Sequence, residues 1–192
     1  MNIAELERDI KKELRASMNG ILSARMREAG MPFKLIFGVE LPRLQNIAEE
    51  FPCNTDLANH LWNQNIRETK LLSIMLMPPE TFTLQVANTW AETMVTAEEA
   101  QIMAKLLLPK AKQAKEISTS WLEDGNDLQA TCACLCLRHL LMQGEDLSDE
   151  KKIFIKYKEH VLEAKLHLRK AIQTLTEAFN EKKETQNIED TK

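Results

Sequence analysis

Two clusters in this 192-residue chain have the residue types and spacing to hold a metal. Cys132, Cys136 and His139 fall at i, i+4 and i+7 of one helical face, where two thiolates and an imidazole can act as ligands. No fourth ligand accompanies them. Free cysteine is among the most buried residue types, so core packing is the expected role. His160, Glu163 and His167 share a second face. A carboxylate-bridged metal site would need the Glu-x-x-His pattern repeated on neighbouring helices. No such repeat is present, so a solvated polar face is expected. The chain also lacks a Gly-rich phosphate loop, a nucleophile elbow, a Cys-x-x-Cys pair and a dinucleotide fingerprint. The expectation is no metal and no cofactor.

Aromatic and basic residues suggest a second kind of chemistry, contact with nucleic acid. Trp62, Trp90 and Trp121 are core anchors or base-stacking groups. Arg67 and Glu68 form either a phosphate contact or an ion pair between helices, and the pair is favoured because few basic residues follow. Lys110, Lys112 and Lys115 make a further basic group. Residues 151–170 hold seven Lys/Arg against two Glu, whereas residues 52–108 hold three basic groups against six acidic ones. The net charge is −4. A dedicated duplex binder usually carries a basic surplus, so any nucleic-acid surface must be local.

The elements that position these residues are helical. The five Gly and six Pro leave few tight turns, and the bulk is Ala, Leu, Glu, Lys, Met and Gln, which lose little rotamer freedom in a helix. The expected helices are 2–18, 21–29, 42–50, 56–63, 66–77, 80–92, 97–108, 110–122, 127–142 and a last, longest one from Ser148 to about Phe179. Asn54 or Thr55, Thr96 with Glu99, Asn126 or Asp127, and Ser148 are the expected caps. The last helix carries one narrow apolar stripe through Phe154, Tyr157, Val161, Ala164, Leu168, Ile172, Leu175 and Phe179. Helices this short pair naturally. The fold class expected is all-α, an α-α superhelix of HEAT-like antiparallel pairs using ~40 residues each, with a compact bundle as the competitor. Residues 1–180 form one domain and 181–192 a flexible tail. The N-terminal residues show no signal peptide, no apolar run is long enough for a membrane span, and the cysteines suit a reducing, cytoplasmic setting.

Against that frame of helices, the segment Ser17-Met18-Asn19-Gly20, the loop Phe37-Gly38-Val39-Glu40-Leu41-Pro42, and Leu44 with Ile47-Ala48 resemble the opening of the AlkD-like DNA alkylation repair family. Leu61-Trp62, Ile66-Arg67-Glu68 and Leu71-Leu72 are similar to its second helix pair, and Trp90 continues the likeness, which spans about residues 15–170. The resemblance implies stacked HEAT-like pairs with a basic concave face for DNA. It also implies, in active members, excision of cationic alkylated purines by an Asp four residues after a Trp. Trp90 fits that Trp, but the fourth residue on is Met94. Glu92 is the nearest carboxylate, turned about 200° from Trp90 on a helix.

Three functions follow as alternatives. The first is a divergent DNA-binding member whose Trp90, Arg67, Lys110, Lys112 and Lys115 contact duplex DNA with alkylated or distorted bases. The second is an active alkylpurine glycosylase using Glu92 or another carboxylate. The third is a scaffold for a protein partner.

Overall fold

A computed structural model of the chain describes residues 2–161 and 163–189, with side chains through Lys182. It contains α1 (Ile3–Ala16), α2 (Gly20–Glu28), α3 (Leu41–Glu49), α4 (Thr55–Trp62), α5 (Arg67–Leu76), α6 (Leu84–Glu92), α7 (Ala97–Leu106), α8 (Ala114–Glu123), α9 (Asp127–Met142), α10 (Ser148–His160) and α11 (Leu166–Glu189). Short 3-10 turns cover Pro79–Thr81 and Leu108–Lys110. Leu35 and Ile66 make an isolated parallel bridge. No described helix is long and apolar enough to cross a membrane. The tail expected over 181–192 falls mostly on residues whose side chains lie outside those described.

The helix starts follow local hydrogen-bond chemistry. Asn19, Asn54, Thr83 and Thr96 each offer a side-chain oxygen to an orphan N–H of the first turn, and Asn126 serves two. Thr96 and Glu99 close a capping box, as do Asn126 and Gln129. Ser148 does not cap α10. Asp146 instead accepts from the Ser148 N–H and hydroxyl.

Three expected helices are interrupted. The stretch 80–92 begins as a 3-10 turn because Phe82 tucks into the core and Thr83 restarts the helix. The stretch 110–122 starts only at Ala114, after a 3-10 turn held by Pro109. The last helix breaks at Val161 into a hairpin. One straight rod would leave half of its apolar stripe in water. The hairpin sets Phe154 against Phe179, with ring centroids 5.9 Å apart, and lets α11 pack along α9. The break also removes the face expected to join His160, Glu163 and His167: His160 ends α10, and Glu163 lies between the helices.

The helices stack in two rows. In one, α5 lies between α3 and α7, and α9 between α7 and α11. In the other, α4 lies along α1, and α8 lies beside α6 and α10. Side-chain hydrogen bonds between successive units join residues a near-constant distance apart in sequence: 31 for Phe37 and Glu68, 31 for Arg67 and Glu98, 31 for Asn59 and Trp90, 33 for Asn88 and Trp121, and 31 for Lys115 and Asp146. The repeat is therefore about 30 residues, shorter than the ~40 expected from HEAT-like units.

Glu68 holds the loop before α3 against α5. Its carboxylate is fully buried and accepts from the backbone N–H groups of Phe37 (3.0 Å), Gly38 (2.9 Å) and Val39 (3.3 Å). Gly38 can turn three N–H groups inward because its φ is +74°. A Cβ there would also lie 2.3 Å from the Asn19 carbonyl oxygen. Arg67 donates to Glu68 and to the Val39 carbonyl, and grips Glu98 of α7 in a two-pronged pair at 2.6 and 2.8 Å.

Removing one partner of such a buried network costs about 3–5 kcal/mol. Glu68→Ala is therefore expected to lower the urea midpoint by that amount of stability; a loss under about 1 kcal/mol would mean the pair contributes no more than a surface one. Glu7 accepts from Lys11 one turn on in α1, and links α1 to α4 and the turn after it through His60 and Gln64. Chiefly the Lys11 bond lowers its carboxyl from 4.5 to about 2, against the opposing effect of burial. A depressed carboxylate pKa stabilises the fold above its unfolded value, and this is lost as pH falls from 4.5 toward 2. Glu7→Gln should flatten the fall in melting temperature over that interval, read by thermal denaturation against the parent protein.

Candidate nucleic-acid interface

The tryptophans serve the stack. Trp62 and Trp90 lie parallel, with centroids 4.4 Å apart and planes inclined by 5°, and Phe82 meets Trp90 edge-on at 5.4 Å. Trp90 donates its indole N–H to Asn59 (2.8 Å), Trp62 to Thr93 (2.9 Å) and Trp121 to Asn88 (2.8 Å). All three rings are buried. Trp90, expected to line a cleft beside an exposed nucleotide, is 2% exposed. Trp62 covers one of its faces, so a base could stack there only if Trp62 moved. Met94 is buried in the core, whereas Glu92 ends α6 in solvent. The two sites expected for glycosidic chemistry therefore face opposite environments.

Arg67 makes no open phosphate contact. It is 3% exposed, with its guanidinium committed to Glu68, Glu98 and the Val39 carbonyl. Burial works against its charge, but the bonds to Glu98 and Glu68 outweigh this and raise its pKa. Lys70, one turn on, faces Glu99 at 3.3 Å, bonds the Thr93 carbonyl and lies over the Trp62 ring at 4.3 Å. Burial lowers its pKa against the pull of Glu99. Sequence reasoning found Arg67 and Glu68 but missed Glu98 and Lys70 as their neighbours. The available signal was the spacing of 31 residues between Arg67 and Glu98, visible only once the repeat length is known.

The three lysines part company. Lys110 and Lys112 are exposed beside Pro109, and Lys105 is exposed in the last turn of α7. No described carboxylate pairs with any of them. Lys115 is half-buried and neutralised by Glu145 at 2.9 Å, and also donates to the Asp146 carbonyl. The basic run 151–170 is divided by the hairpin. Lys152 pairs with Asp149 and Lys151 covers the Phe179 ring, while Lys156, Lys165, Arg169 and Lys170 face solvent.

Cys132, Cys134 and Cys136 line the interior of α9, and burial pushes the Cys134 and Cys136 thiols up to about 12. Protonated buried thiols are poor ligands and poor nucleophiles. Cys53 is exposed. One thiol per native chain should react promptly with a disulfide reagent, and four after denaturation; prompt reaction of more than one in the native state would contradict this packing.

The sequence profile described as DNA alkylation repair enzyme matches residues 10–183. Among solved structures, the chain is similar to a member of "a new family of proteins related to the HEAT-like repeat DNA glycosylases with affinity for branched DNA structures". The TM-score is 0.76 at 15% identity, covering 89% of this chain and 74% of that one. No match was found among curated proteins. The repeat of two-row helices is thus a HEAT-like superhelix, and the chain belongs to the DNA alkylation repair enzyme family.

Proposed function

We propose that this protein binds distorted or branched DNA through shape and phosphate contact, without excising bases by the family's Trp-x-x-x-Asp route. The observation that carries this reading is that Lys105, Lys110 and Lys112 are exposed without a described carboxylate partner, whereas Arg67, Glu68, Lys70, Glu98 and Glu99 pair with one another inside the stack. Phosphate neutralisation needs cations without carboxylate partners. Family membership supplies the partner class, and the affinity of the structurally similar protein for branched DNA supports the preference for distortion over alkylation. The apolar Met94, buried where the resemblance would place an Asp, supports binding without the known chemistry.

Fluorescence anisotropy with a fork and a linear duplex, over a salt series, tests this. The parent protein should prefer the fork, and its affinity should fall linearly with log salt. Lys110→Glu with Lys112→Glu should weaken both complexes and reduce the salt slope by about two. An unchanged slope sinks the assignment of these lysines, and no binding at low salt sinks the reading itself. Release of methylated purines from alkylated DNA above the spontaneous rate would instead favour catalysis by Glu92 or another carboxylate.

A further inference from the structure

An open pocket of about 360 Å³ lies on the surface between the loop before α3, the α4–α5 turn and the α6–α7 turn. Pro32 and Val95 supply apolar walls, with Trp62 and Lys70 behind them, and Asn63, Gln64, Asn65, Glu92 and Thr93 complete the lining. Most of these groups are spent. Lys70 is held by Glu99 and the Thr93 carbonyl, Thr93 accepts from Trp62, and Asn65 accepts from the Lys34 N–H at 3.0 Å. Glu92 and Asn63 are exposed and make no described side-chain hydrogen bond. Val95 is 48% exposed.

We infer that this pocket receives one unpaired nucleobase, and that it selects bases carrying an exocyclic amino group, namely adenine, cytosine or guanine, over thymine. Pro32 and the exposed Val95 give apolar sides against which a base can pack, although Trp62 itself is covered by Trp90 and Lys70. An unpaired carboxylate accepts from an amino group, and an asparagine amide supplies both a donor and an acceptor to a base edge. Thymine can offer Glu92 only its ring N3–H, which is flanked by two carbonyl oxygens that repel the carboxylate, whereas an exocyclic amino group meets it without that repulsion. Lys34 is exposed, and its backbone is tied to Asn65 of the lining, so it stands at the rim to meet the adjoining phosphate. The remaining charges behind the pocket cancel locally, because Lys70 and Glu99 form a pair. This inference rests on the DNA-binding reading and adds a base preference to it.

Forks that differ only in the unpaired base at the branch point, thymine or cytosine or adenine, test it by anisotropy. The parent is expected to bind the cytosine and adenine forks about five-fold tighter than the thymine fork, roughly 1 kcal/mol. In Glu92→Ala with Asn63→Ala, that ratio should collapse to near one. Both residues are exposed, and an unchanged melting temperature verifies the fold. A ratio near one in the parent, or a ratio that survives both substitutions, overturns the inference while fork binding itself stands. Absence of any DNA binding by the parent overturns both.

Discussion

Glu68 is an acidic side chain with no access to water. Taking a carboxylate out of water costs several kcal/mol unless its oxygens are satisfied and its charge is matched. Here three backbone N–H groups of residues 37–39 and the Arg67 guanidinium meet both needs. The consequence spreads outward. The loop from Met31 to Glu40 has no helix of its own and only the single bridge at Leu35, so its N–H groups need partners. Glu68 supplies them from α5. Arg67 then needs a second carboxylate, which Glu98 supplies from α7. One buried charge thus sets the placement of the first loop, the second unit and the third.

The tryptophan bonds do the same on the other row. Each indole reaches an amide or hydroxyl in an adjacent unit, and the parallel Trp62–Trp90 pair fills the space between α4 and α6. Stacked aromatic pairs contribute about 0.5–1.5 kcal/mol beyond the area they bury. A solenoid holds together through such nearest-neighbour interfaces. These contacts account for why each Trp in this chain is structural, and why none remains free to face DNA.

The same pairing decides what the surface can do. The charges at the centre of the stack are neutralised inside it, so they add little field at the surface. Exposed basic groups remain, among them Lys105, Lys110 and Lys112, Lys34 at the pocket rim, and Lys156, Lys165, Arg169 and Lys170 of the α10–α11 hairpin. An acidic chain can therefore still present local positive surface. Glu92 and Asn63 are the complementary case, polar groups left free at a pocket mouth.

Several features were legible in the residues alone. Helix content, most helix starts, the capping box at Thr96 and Glu99, and the likeness to the family through residues 37–42 and 61–72 all rest on local chemistry, which acts between residues a few positions apart. The all-α superhelix followed from those short-range rules. Tertiary structure alone decided the rest. The repeat length appears in bonds between residues about 30 positions apart, of which the Asn–Trp pair recurs, as Asn59–Trp90 and Asn88–Trp121, while the others join different residue types, so no extended motif marks it. The last helix broke because packing on α9 buries a stripe that periodicity treats as continuous. Trp90 and Arg67 look identical in sequence whether they face DNA or a neighbouring helix. Which they face depends on Trp62, Asn59 and Glu98, and only folding brings those side chains within bonding distance.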